Sequence, residues 1–243
     1  MTRSQFIDLL RSGFTQEELA AVREMFQSSM REEQEKKLRF CRQLNQTAKT
    51  GQTLFTGSSL MEQFPVGELI QGKAEGYFYN RGIGGFTTDD FLRNIDTVLL
   101  DLAPKKVFIN IGTNDLSMPD YSPERLIENY RAILRKAGER LDGVVVYVMA
   151  YYPMNEEVAK SFSAGARTNL RIHEANNQLR LLASEFTFCH YINVNDGLTD
   201  KDGELRSEWT IDGIHMYPEA YEVVLRNLMP YIKGEADGKT PGP

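Results

Sequence analysis

Three short polar stretches of the chain carry side chains suited to acyl-transfer chemistry, although they lie far apart in sequence. Gly57-Ser58-Ser59-Leu60 offers two hydroxyls where the apolar run Thr53-Leu54-Phe55-Thr56 stops. A serine hydroxyl is a weak nucleophile until a neighbouring base takes its proton. Asp212-Gly213-Ile214-His215 holds such a base, with a carboxylate three residues away across a glycine that permits a tight turn. A carboxylate so placed bonds one imidazole nitrogen, fixes the tautomer and leaves the other nitrogen to accept a proton. Gly112-Thr113-Asn114-Asp115 adds a carboxamide, which stabilises an oxyanion without competing for protons because it is neutral at every working pH. Each stretch also has an ordinary structural reading. Gly, Ser, Asn and Asp are turn residues, and Asp212 stands where it would cap the helix that opens at Pro218-Glu219.

A fourth stretch, Asn80-Arg81-Gly82-Ile83-Gly84-Gly85-Phe86-Thr87-Thr88, packs three glycines into four residues. Its spacing fails the G-x-G-x-x-G dinucleotide pattern. It reads better as a loop whose backbone approaches a ligand and donates an N–H to developing negative charge. Asp200-Lys201-Asp202-Gly203 looks like a calcium loop, but with Gly203 at position six, Leu198 falls where an acid is required. It is read as a polar turn. His173 and His190 have no second ligand at metal spacing, and neither a metal nor another cofactor is indicated.

The elements that must hold these stretches are legible as an alternation. Short apolar, β-branched or aromatic runs occur at 53–56, 77–79, 107–111, 144–149 and 188–194, with helix-like segments near 87–101, 122–140, 164–185 and 217–232. Strands alternating with helices predict a parallel sheet covered on both faces, a three-layer α/β/α sandwich with five strands, flavodoxin-like in kind. Val144-Val145-Val146-Tyr147-Val148 does not alternate polar with apolar, as expected of a strand buried on both sides. Ligands of such sheets bind beyond the carboxyl ends of the strands, where all the unusual motifs fall.

Residues 1–50 are expected to form a helical extension, with a helix stop at Gly13, a Thr15/Glu18 capping box and a solvated charged run at Arg31–Lys37. The α/β domain is expected over 51–234 and a frayed tail over 235–243. Composition narrows the classes further. Twenty-eight basic against 34 acidic residues, formal charge −6, argues against nucleic-acid binding. No run approaches the ~18 apolar residues of a membrane span, and membrane insertion is not expected. Two cysteines are too few for a disulfide framework. A cytoplasmic setting is expected.

Taken together and in this order, serine after the first strand, Gly-Gly after the second, Gly-x-Asn after the third and Asp-x-x-His near the C-terminus resemble the SGNH hydrolases, the GDSL-like lipase/acylhydrolase family. The resemblance covers about residues 52–233. Asn80–Thr88 is similar to the platelet-activating-factor acetylhydrolase-like branch, although Phe86 stands where that branch commonly has Asp. The resemblance implies Ser59 as nucleophile, His215 as base and Asp212 as its support. It implies an oxyanion hole formed by the N–H groups of Ser59 and Gly85 and the Asn114 amide. Ser58 occupies the place of the Asp in the family's name. The register puts the reactive serine two residues after Gly57, hence Ser59, with Ser58 bonding backbone near the turn. Leu60, Phe86, Tyr151 and Tyr152 are expected to line the substrate pocket.

The function expected is a serine esterase acting on a small acyl ester, O-acetyl or short-chain. A lysophospholipase or acyltransferase of the same family, and a non-catalytic binding module on the same fold, stand as alternatives. The expected partner is a small-molecule ester, and the long helical extension leaves room for a homodimer.

Overall fold

The structure, a computed structural model, describes residues 13, 15–160 and 165–235. The frayed tail expected beyond Glu235 and most of the first fourteen residues lie outside this range. Among the described residues the first full element is a long helix, α1 (Gln16–Asn45). Its start is set by the expected capping box. The Thr15 hydroxyl accepts from the Glu18 N–H at 3.2 Å, and the Glu18 carboxylate accepts from the Thr15 N–H at 2.7 Å. Val22, Met25, Phe26 and Met30 on the first half of α1 are exposed, whereas Leu38 and Cys41 on the second half enter the core.

Five strands follow: β1 (Thr53–Gly57), β2 (Phe78–Asn80), β3 (Lys106–Asn110), β4 (Val145–Met149) and β5 (Cys189–Ile192). All pairings are parallel and the order is β2-β1-β3-β4-β5. This is the flavodoxin-like order, which reverses between β1 and β3. Between and after the strands come α2 (Ser59–Glu62), α3 (Val66–Leu69), α4 (Thr88–Arg93), α5 (Pro123–Arg140), α6 (Glu156–Lys160), α7 (Asn169–Ala183) and α8 (Pro218–Ile232). The helix expected near 87–101 is two pieces, α4 and a π-helical turn at Asp96–Leu100. Asn94 separates them, its N–H bonding back to the carbonyls of Asp90 and Phe91.

Alternate residues of each central strand enter different cores. Leu54, Val107, Ile109, Val146 and Val148 face the layer of α1, α4, α5 and α7. Phe55, Phe108, Tyr147 and Met149 face α2, α3 and α8. Both faces being apolar explains why these strands read as unbroken hydrophobic runs. On the second face, Phe55, Phe108 and Tyr147 sit opposite one another in register and stack at centroid distances of 4.8 and 4.9 Å. This ladder fixes the mutual register of the three strands whose ends carry the site. Among the described residues, no helix is long and apolar enough to cross a membrane.

Candidate active site

The serine doublet sits at a sharp corner between β1 and α2. Gly57 has φ +152°, and a Cβ there would stand 2.0 Å from the Asn110 carbonyl oxygen, so no side chain fits. Ser58 is extended, donates its N–H to that same carbonyl at 3.2 Å and is fully buried. Its hydroxyl lies 3.5 Å from the Thr113 hydroxyl, not on turn backbone as the sequence reading expected. Ser59, the first residue of α2, is half-buried, and its Oγ is 2.9 Å from His215 Nε2. The two serines are therefore physically distinct: one is sealed in, the other meets an imidazole.

His215 Nδ1 lies 2.7 Å from Asp212 Oδ2. The second carboxylate oxygen, Oδ1, accepts the backbone N–H groups of Ile214 at 3.0 Å and His215 at 2.8 Å. Asp212 thus closes its own turn and holds the imidazole; it does not cap the helix opening at Pro218, whose N-cap is Tyr217 with no side-chain cap bond. Burial pushes the Asp212 carboxyl up. The hydrogen bonds from the His215 ring and backbone outweigh this and hold it down to about 2. The turn is built on Gly213 at φ +90°, where a Cβ would press on the Ala159 backbone nitrogen at 2.5 Å. Thr210 ties it together, its hydroxyl donating to the His215 carbonyl and accepting from the Gly213 N–H.

Asn114 follows β3, and its amide is held at both ends. Nδ2 donates one hydrogen to the Phe86 carbonyl at 2.9 Å, while Oδ1 accepts from Arg167 Nη2 at 3.2 Å. An arginine only donates, so this contact settles which end of the amide is oxygen. The second Nδ2 hydrogen is left to point elsewhere. Arg167 is 7% exposed and also donates from Nε to the Ser117 hydroxyl at 3.0 Å. Among the described residues no carboxylate lies within ion-pair distance of it. Burial pulls its guanidinium down to about 10, against the attraction of Asp212, Tyr151 and Asp115. Neither Arg167 nor the partners of Ser58 and Asn114 were signalled by the sequence, because the contacts cross 28 to 55 residues.

The Gly-rich loop is packed by neighbouring elements. Its backbone is approached by protein: a Cβ on Gly82 would meet the Glu62 backbone nitrogen at 2.3 Å, and one on Gly85 would meet Met30 Sδ at 2.9 Å. Gly82 thus needs no side chain because α2 packs on it, and Gly85 lies under α1. Among the described residues, the backbone N–H groups of Ser59 and Gly85 donate to no protein acceptor.

The four expected pocket residues need correcting. Leu60, Phe86, Tyr151 and Tyr152 are all buried to within 3% exposure and lie inside the two cores. Residues directly after a strand continue its inward-facing alternation. The Tyr151 hydroxyl, for instance, turns back to donate to the Ile111 carbonyl at 2.7 Å. Phe86 reaches the site only through its carbonyl.

By strand order and layering, the molecule is of the flavodoxin-like α/β/α class, with its polar constellation at the carboxyl edge of the sheet. The GDSL-like Lipase/Acylhydrolase family matches residues 55–223, and the chain belongs to it. A Streptococcus pneumonia structure named for platelet activating factor superposes with a TM-score of 0.82 at 29% identity, over 88% of this chain and 99% of that one. An acetylxylan esterase of Geobacillus stearothermophilus shares the fold, with a TM-score of 0.59 at 14% identity over 76% of this chain and 95% of its own. The N-acylneuraminate cytidylyltransferase of Escherichia coli is 24% identical over 155 residues, covering 63% of this chain. This chain spans only about a third of that relative's length, 35%.

Proposed function

We propose that the chain is a serine esterase that cleaves a small acyl ester through Ser59, His215 and Asp212. The observation that carries this is the continuous line Ser59 Oγ–His215 Nε2–His215 Nδ1–Asp212 Oδ2, with steps of 2.9 and 2.7 Å at the edge of the sheet. His215 takes the Ser59 proton as Oγ attacks the ester carbonyl carbon. Asp212 holds the imidazole in the tautomer with Nδ1 protonated and stabilises the imidazolium that forms. The carbonyl oxygen, now an anion, is received by the unpartnered N–H groups of Ser59 and Gly85 and by the second amide hydrogen of Asn114. His215 then returns its proton to the leaving alkoxide. The acyl group stays on Ser59 until water, deprotonated by the same imidazole, attacks it and releases the carboxylic acid.

Within this reading the acyl group is taken to be short. The acetylxylan esterase among the structural neighbours accords with this. The test is hydrolysis of p-nitrophenyl esters from acetate to laurate, with Ser59→Ala and Ser58→Ala in parallel. Rates falling steeply beyond acetate or butyrate, lost in Ser59→Ala and retained in Ser58→Ala, are expected. Equal turnover in Ser59→Ala would sink the assignment, and a maximum at medium chains would assign a lipolytic substrate instead.

A further inference from the structure

Helix α1 lies outside the residues that match the family, 55–223, yet one of its side chains bonds the loop that carries Gly85 and a second pairs with Glu62, which bonds the same loop. Gln34 Nε2 donates to the Gly84 carbonyl at 3.0 Å. The Gly84 N–H donates to Glu62 Oε2 at 2.7 Å, and Lys37 Nζ pairs with the other oxygen of that carboxylate at 2.7 Å. Both backbone polar groups of Gly84 are therefore taken by side chains. Glu62 is the last residue of α2, the helix that Ser59 begins.

The geometry of the peptide unit gives these contacts a consequence. The Gly84 carbonyl and the Gly85 N–H belong to one planar trans peptide, so they point in opposite directions. A donor on α1 that holds the carbonyl toward the helix necessarily turns the Gly85 N–H away from it. With glycine on both sides, little steric resistance opposes a flip of that peptide. Accepting a hydrogen bond at the carbonyl also polarises the unit and strengthens its N–H as a donor.

We infer that Gln34 of the N-terminal helix, seconded by the Lys37–Glu62 pair, is a positioning residue of the active site that locks the Gly84–Gly85 peptide with the Gly85 N–H directed at the oxyanion. This rests on the esterase reading above. The extension then completes the oxyanion hole and is part of the catalytic unit.

The readout that separates positioning from mere packing is stabilisation of the tetrahedral state. Kinetics on p-nitrophenyl acetate and inhibition by an aryl boronic acid, which forms a tetrahedral adduct on Ser59, are measured for Gln34→Leu, Gln34→Glu and Gln34→Lys. Gln34 is only half-buried, so all three variants are expected to fold. Since a full oxyanion donor is worth about 10²–10³ in turnover, partial release of the peptide should lower kcat about tenfold in Gln34→Leu and more in Gln34→Glu, whose carboxylate repels the carbonyl. KM should stay within about twofold, and the boronate inhibition constant should rise in step with the fall in kcat. Gln34→Lys, which restores a donor, should keep kcat within about threefold of wild type. Unchanged kcat in Gln34→Leu overturns the inference while leaving the esterase reading intact, as does a loss in Gln34→Lys as large as in Gln34→Leu. A wild-type protein without esterase turnover overturns both.

Discussion

In the proposed mechanism Asn114 is aimed by having its two ends assigned to different partners. Phe86 takes one amide hydrogen and Arg167 holds the oxygen, so the remaining hydrogen is aimed by two constraints. Asn114→Ala removes a whole donor and is expected to lower kcat by about 10²–10³ with little change in KM. Arg167→Met keeps the side-chain bulk but frees the amide to flip, and a fall of about tenfold is expected, since the donor is misoriented part of the time and not deleted. Steady-state kinetics on a short-chain ester checks both, and an Arg167→Met enzyme as slow as Asn114→Ala would show that the cation does more than orient. Asp212 supplies a different test. Its folded-state carboxyl is held near 2, below the ordinary 3.8, so the ionised form favours the folded state. That contribution is present in full above about pH 4 and lost as pH falls through about 2. The stability gap between wild type and Asp212→Asn should therefore widen from pH 2 to about pH 4 and stay flat above it. Urea denaturation across that range measures the gap, and one that narrowed with rising pH would contradict the depressed value.

Elements bring these residues together, and glycine decides where two elements touch. Gly112, at φ +114°, stands between β3 and Asn114, and a Cβ there would lie 2.1 Å from the Tyr151 hydroxyl. Gly112→Ala combines left-handed strain with the loss of the Tyr151–Ile111 hydrogen bond. It should cost about 2–4 kcal/mol by chemical denaturation. Adding Tyr151→Phe should recover only part, because the backbone strain remains. The same position shows what sequence reveals and what it hides. The strands and the order of the motifs were legible because two buried faces make unbroken apolar runs, and because Asp212, Gly213 and His215 form a local turn. Tyr151 was read as lining a pocket because it follows β4. Its actual direction depends on the missing side chain of Gly112, which is remote in sequence. Arg167 and Gln34 carried no pattern at all: their partners are 53 and 50 residues away, and one lies in the loop before α7 and the other on α1, like many other polar residues. Local geometry can be read from spacing, whereas contacts between elements need the packed sheet.

At the scale of the whole molecule, the open matter is whether α1 is an appendage or shares the cooperativity of the sheet. Its second half has the contacts of a core element. Leu38 and Cys41 join the same apolar cluster as Leu54 and Val107, and Asn45 donates to the Thr97 carbonyl while accepting from Arg81 Nε at 2.8 Å. Such burial couples local opening to global unfolding. The two cysteines report on this independently, one on α1 and the other on β5, far apart in the chain. Both are buried free thiols whose pKa is pushed up by that burial, Cys189 to about 12, so neither reacts readily while folded. If α1 unfolds with the sheet, Cys41 and Cys189 should become reactive over the same range of urea concentration, and esterase activity should vanish over that range as well. Mass spectrometry of pulse-labelled thiols resolves the two sites. Labelling of Cys41 well before Cys189 would show a helix that detaches on its own. Activity lost with that early labelling would then tie the catalytic edge to the extension, whereas activity surviving it would remove α1 from the active unit.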